Sequence, residues 1–121
     1  AMALVTEVYL LSQGFPSNEQ FGLTSQLRRA AISIPLNIAE GSGSESQKEF
    51  ARFLNIALRS CYETTTALEI AAQLGICTKE ELGPLLDETD QVAAMLVGLS
   101  RRIRSTTQSI FESEEPYLTH E

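Results

Sequence analysis

Gln26-Leu27-Arg28-Arg29-Ala30-Ala31-Ile32-Ser33-Ile34-Pro35-Leu36-Asn37-Ile38-Ala39-Glu40-Gly41 reads as a helix that carries a proline inside its own apolar pattern. Ile34, Leu36, Ile38 and Ala39 continue the hydrophobic run past Pro35, where most helices stop. An interior proline removes one backbone hydrogen bond and clashes with the preceding turn, at a cost of about 3 kcal/mol. If the helix continues, tertiary packing must offset that cost. The segment therefore belongs at the centre of the fold, with the helix kinked at Pro35.

Outward from this stretch, the apolar spacing defines three more helices. Over residues 3–13, Leu4, Val8 and Leu11 recur at helical steps with Val5 and Tyr9 beside them. Gly14-Phe15-Pro16 ends that helix. Ser17 with Gln20 has the spacing of a capping box and is read as the start of the second helix. That helix runs through Phe21, Leu23, Leu27, Ala30, Ile34 and Ile38 to a break at Gly41-Ser42-Gly43-Ser44. Ser46 with Glu49 opens the third, whose stripe is Phe50, Phe53, Leu54, Ala57, Cys61, Thr64, Leu68, Ala71 and Leu74, closed by Gly75. At 1.5 Å per residue it would be roughly 42 Å long. Thr78 with Glu81 starts the fourth, with Leu82, Leu85, Leu86, Thr89, Val92, Leu96, Leu99 and Ile103 on one face. Pro84 either is tolerated near that start or moves it to Gly83. From Ser105 onward the periodicity is lost, which predicts a frayed end and, over residues 112–121, a mobile acidic tail. No segment alternates as a strand does, and short loops between long amphipathic helices predict antiparallel neighbours. The expected fold is all-α, an antiparallel up-down four-helix bundle forming a single domain over residues 1–111.

Composition narrows the function classes. The 121 residues are 43% hydrophobic, too apolar for a disordered chain. Net charge is −7, and residues 1–111 carry 12 acids against 9 bases, so no surplus of Lys and Arg favours nonspecific nucleic-acid binding. No apolar run reaches the roughly 20 residues that span a bilayer. Residues 1–13 lack the basic start and cleavage site of a signal peptide, and Ala1-Met2 reads as a tag remnant before a start methionine or as the start of a trimmed chain. The expectation is a cytoplasmic protein with no membrane partner. Cys61 and Cys77 are too few for a disulfide framework and are read as small hydrophobes, with a bridge between them as the alternative.

Chemistry-bearing motifs are scarce. A di-iron bundle needs inward Glu-x-x-His pairs, and the sole histidine is His120, next to the last residue. Zinc spacing and a triad base are absent too, so no metal, no cofactor and no catalytic residue is expected, and the chain is read as a non-enzyme. Gly41-Ser42-Gly43-Ser44 with Lys48 resembles a phosphate cradle but lacks Gly-Lys-Ser/Thr at a helix start after a strand; it reads as a turn. Two basic clusters, Arg28-Arg29 and Arg101-Arg102 with Arg104, are the candidate nucleic-acid contacts, since arginine offers a fixed fork of donors to phosphate. In the competing reading, Arg101, Arg102 and Arg104 complement the negative end of the fourth helix. Arg28 and Arg29 would then pair with acids of the same or a neighbouring subunit. Ser33, Asn37 and Glu40 share one face, where they could satisfy the carbonyl orphaned by Pro35 or bond to an adjacent helix. Glu40, a carboxylate without a partner acid or base, makes a poor catalyst.

The run Gly14-Phe15-Pro16, Glu19, Phe21-Gly22-Leu23, Gln26-Leu27-Arg28-Arg29-Ala30, Ser33-Ile34-Pro35 and Asn37-Ile38-Ala39-Glu40-Gly41 resembles the four-helix-bundle family of 23S rRNA intervening-sequence proteins. Phe50, Phe53-Leu54, Ile56-Ala57, Ser60 and Glu63 extend the likeness, which covers residues 3–104. It implies a bacterial-type homopentameric ring of bundles serving as a scaffold or adaptor, with an unidentified protein as a further partner. A related branch, the accessory variability determinant of diversity-generating retroelements, binds nucleic acid and its reverse transcriptase. For this chain that implies an alternative role in RNA or DNA binding, through Arg28, Arg29 and other arginines on the rim of the oligomer. That branch is strongly basic, whereas this chain has a pI near 4.7. The family's usual glycine before the serine of the third helix is Arg59 here, and its opening aromatic, upstream of the first helix, is missing or trimmed.

Overall fold

The helix through Pro35 does continue: α2 spans Leu23–Ser42 with the proline inside it. It is one of four helices, preceded by α1 (Met2–Ser12) and followed by α3 (Gln47–Gln73) and α4 (Lys79–Glu114). A computed structural model describes the backbone of residues 1–114 and the side chains of residues 1–105. Among the described residues there is no strand, and the architecture is an all-α four-helix bundle.

The reason α2 tolerates its proline lies in what it buries. Leu27, Ala31 and Ile34 are fully covered, and they pack with Leu54, Ala57, Cys61 and Leu68 of α3 in one apolar cluster. Fully burying one leucine or isoleucine side chain contributes roughly 1.5–3 kcal/mol, so a few such residues outweigh one lost backbone bond. Ala30, Ala31 and Ala57 let the two helices come close. Gly41, near the end of α2, meets Phe50 and Phe53 near the start of α3, while Ser33 meets Ser60 further along. The most extensive packing is α2 on α3, then α3 on α4, and α1 lies against α2 and α4 through Leu4 and Val8.

Local chemistry sets the helix ends. Ser46 Oγ accepts from the Glu49 N–H at 3.0 Å and caps α3. At the other end Gly75 takes φ +75°, and the Ile76 and Gly75 N–H groups close onto the carbonyls of Ala71 and Ala72. The α4 box is reciprocal: Glu81 N–H donates to Thr78 Oγ1 at 3.1 Å, and Thr78 N–H donates to Glu81 Oε1 at 2.9 Å. α4 starts at Lys79 in spite of Pro84, which the helix tolerates.

Three expectations need correction. Ser17 and Gln20 do not open the second helix; Ser17–Glu19 is a single 3-10 turn. Gly22 then resets the chain, and Glu19 Oε1 accepts the Leu23 N–H at 3.2 Å in the capping role. Phe21 therefore lies outside the helix and is 91% exposed rather than in the core stripe. Gly41 does not break α2 but is buried within it. Finally, α4 does not fray at Ser105: it runs to Glu114, because no glycine or proline intervenes between Gly98 and Pro116. Glu112–Glu114 thus belong to the helix, and residues 115–121 of the expected tail lie outside the described residues.

Both cysteines are free and buried, and burial pushes the Cys61 thiol up to about 11, well away from a reactive thiolate. Among the described residues no helix is long and apolar enough to cross a membrane.

One seam of the bundle is electrostatically awkward. Glu7 of α1 and Glu88 of α4 approach each other, and Glu7 Oε2 is covered with no hydrogen-bond partner. Two carboxylates cannot bond to each other; one proton supplies the donor. Hydrogen bonding to Glu88, then desolvation, then the like charge raise the Glu7 carboxyl above its ordinary pKa. A raised folded-state pKa contributes stability that is present below the unfolded pKa and lost as pH rises through the folded one. Glu7→Gln, which keeps a donor at all pH values, is expected to be more stable than the parent at pH 7 and equal to it near pH 4. Urea unfolding at the two pH values checks this; an equal midpoint shift at both would remove the carboxyl pair as its cause.

Candidate interaction surface

The residues after Pro35 form a structural seam. Asn37 Nδ2 donates to the Ser33 carbonyl at 2.8 Å and to Ser33 Oγ at 2.9 Å. Ser60 Oγ of α3 lies 2.8 Å from Ser33 Oγ, so the seam ties α2 to α3. The carbonyl that Pro35 leaves without its helical donor is that of Ala31, four residues back. Asn37 therefore does not satisfy the orphan; it doubles the donor on Ser33. Glu40 stands exposed outside this seam. Gly41 closes it, because a Cβ there would come within 2.9 Å of Phe50 Cδ1 and Phe53 Cβ.

The two arginines at 28 and 29 do different things. Arg28 Nε donates to Ser12 Oγ at 2.8 Å, and its guanidinium lies 4.5 Å from the centroid of the Tyr9 ring. It clasps α1 to α2 and pairs with no acid among the described residues. Arg29 is exposed and faces a cleft of about 230 Å³ between α2 and α3, lined also by Ser33, Arg59, Ser60 and Glu63. Arg59 lines the same cleft as Arg29; the two are not adjacent in sequence, and only helix register brings them there.

Arg101, Arg102 and Arg104 are exposed on α4. They do not complement its negative end, since α4 runs on to Glu114 and its last turn carries no basic residue. The helix-end effect fades within one turn. Among the described side chains the only ion pair is the exposed Arg52–Glu49, so these three arginines are unpaired there.

Apolar surface is more conspicuous than charge. Beside the Arg29 cleft, and sharing Glu63 with it, lies a groove of about 420 Å³ lined by Leu23, Gln26, Tyr62, Thr66, Ala67 and Ile70. Tyr62 is 55% exposed and Ile70 44%. A second groove of about 350 Å³ runs between α1 and α2, walled by Met2, Val5, Ile32, Pro35 and Leu36. Met2 and Leu36 there are also largely exposed. No group of three or more His, Cys, Asp or Glu able to hold a metal occurs among the described residues. Sequence periodicity assigned Phe21 and Leu36 to apolar runs but could not say that they face outward; only the register of the bundle does.

Residues 1–98 match the family model described as 23S rRNA-intervening sequence protein. Among solved structures, the chain is similar to a protein of unknown function from the S23 ribosomal protein family of Bacteroides thetaiotaomicron VPI-5482. The TM-score is 0.70 at 24% identity, covering 82% of this chain and 89% of that one. At that identity the likeness shows the fold alone. No curated protein matches the chain.

Proposed function

We propose that this chain, which belongs to the 23S rRNA-intervening sequence protein family, is a non-enzymatic, self-assembling scaffold or adaptor of the cytoplasm, built as a homopentameric ring. The carrying observation is the apolar surface left uncovered on one subunit: Phe21, Leu36, Met95 and Leu10 are each more than half exposed. Leu36 and the exposed Met2 wall one groove, while Tyr62 and Ile70 line another, with Phe21 two residues from its Leu23. Monomers rarely leave that much large apolar side chain in water. Two unlike apolar faces favour head-to-tail contacts, which close into a ring where the rotation between neighbours permits. The test is solution mass by light scattering: the reading expects a species five times the 13.3 kDa of one chain, and a single-chain mass at micromolar concentration ends it.

A second reading, an RNA- or DNA-binding accessory protein, is favoured by one observation. Arg29, Arg101, Arg102 and Arg104 are exposed without an acidic partner among the described side chains. Ring symmetry would multiply a weak patch through effective concentration. Binding through phosphate contacts falls steeply with salt. Under this reading, a chain with Arg101→Glu, Arg102→Glu and Arg104→Glu loses RNA binding at low salt yet keeps its mass; retained binding removes those residues from the site.

A further inference from the structure

We infer that the groove between α2 and α3 receives the C-terminal stretch Ile110–Glu115 of a second copy of this chain, an assignment that rests on the self-assembly reading above. The groove has two chemistries in succession. One part is apolar, walled by Leu23, Tyr62, Ala67 and Ile70, with Phe21 exposed two residues from Leu23. The adjoining part carries Arg29 and Arg59 against the single acid Glu63. The stretch Ile110-Phe111-Glu112-Ser113-Glu114-Glu115 has the complementary order: two large apolar residues, then three carboxylates within four positions. Apolar anchors in a pocket with opposite charges beside them are what a specific contact requires.

The backbone of α4 carries Ile110–Glu114 at its far end. α4 has 36 residues and α3 has 27. Ile103 is the last α4 side chain buried among the described residues. The α4 backbone runs on from Ile103 to Glu114, roughly 16 Å further along the axis. The same copy cannot supply the contact. Lys79, Leu82 and Leu86 at the start of α4 share a cleft with Glu69, Ala72 and Gln73 of α3, so α4 begins beside the apolar end of the groove at Ile70. Ile110 lies 28 residues beyond Leu82 on one unbroken helix, about 42 Å away. The contact therefore joins two unlike surfaces of two copies, and its repetition is the head-to-tail geometry that closes a ring.

The test uses the full chain with photoreactive benzoylphenylalanine in place of Phe111, assembled from a mixture of isotope-labelled and unlabelled copies. Mass spectrometry is expected to find crosslinks to residues 23–33 or 56–70, joining labelled to unlabelled copies. Separately, Arg29→Glu with Arg59→Glu, both exposed positions, is expected to weaken assembly at least about tenfold while leaving the helical circular dichroism of the dissociated chain unchanged. Adding Glu112→Arg, Glu114→Arg and Glu115→Arg to that pair is expected to restore it. Crosslinks confined to one copy or falling outside the groove overturn the inference, as does failure of the reversed charges to restore assembly. So does an Arg29→Glu, Arg59→Glu chain that assembles like the parent but no longer binds RNA, which makes the cleft a phosphate site. In each of those cases a parent of multiple-chain mass leaves the self-assembly reading standing; a parent of single-chain mass removes both.

Discussion

Gly41→Val is expected to cost the fold about 3 kcal/mol or more, and Gly41→Ala about 1–2 kcal/mol, read from urea unfolding. The sign at alanine is the informative part. In an open helical position, glycine to alanine stabilises by roughly 0.8–1 kcal/mol, because alanine gives up less backbone freedom on folding. At Gly41 the added Cβ would sit 2.9 Å from both Phe50 Cδ1 and Phe53 Cβ. A phenyl edge can swing aside; the Phe53 Cβ is fixed by the α3 backbone, so the helices must part. Overpacking of a well-filled contact costs typically 1–3 kcal/mol, which outweighs the propensity gain. Gly98 of α4 supplies the control: nothing lies within 4 Å of its Cβ position, and Gly98→Ala is expected to stabilise. If alanine stabilises at both positions, the close approach of α2 to α3 at Gly41 is not what holds glycine there.

Gly41 also marks where sequence reading stops. The third and fourth helix starts were legible because Ser46–Glu49 and Thr78–Glu81 bond within one turn, inside the window that sequence spacing samples. The role of Gly41 depends on Phe50 and Phe53 across a loop, and a glycine beside Ser42-Gly43-Ser44 looks like a turn when only neighbours are read. The same limit explains the start of α2. Ser17 has cap spacing, yet Gly22 interrupts before a helix can propagate, and Glu19 takes over the capping. The end of α4 is not legible from apolar period, which fades at Ser105 while the helix runs to Glu114. For the candidate surface, arginine identity was legible but partnership was not. Arg28 looked interchangeable with Arg29; one step of 100° around the helix puts it on Tyr9 and Ser12 instead of in the cleft with Arg59.

Pro35→Ala is expected to stabilise the isolated subunit by about 1–2 kcal/mol. The interior proline costs about 3 kcal/mol relative to alanine in a helix, by removing the donor to the Ala31 carbonyl and crowding the preceding turn. Asn37 does not repair the loss, since its amide is committed to Ser33. Two terms act the other way. Alanine returns about 0.4–1 kcal/mol of conformational freedom to the unfolded chain, and the ring's half-buried contacts are lost. The net sign still favours alanine. Keeping a residue that weakens its own helix calls for a benefit outside the subunit, and Pro35 stands in the wall of the α1–α2 groove with Met2, Ile32 and the exposed Leu36. If that groove is the other half of the self-association surface, Pro35→Ala raises the unfolding midpoint while lowering the assembled mass at a given concentration. Unfolding and light scattering on one preparation read both quantities. A variant that loses subunit stability sinks the local-cost account, because then the ring's packing outweighs the restored hydrogen bond; one that gains stability and assembles unchanged leaves the proline without a role in that face.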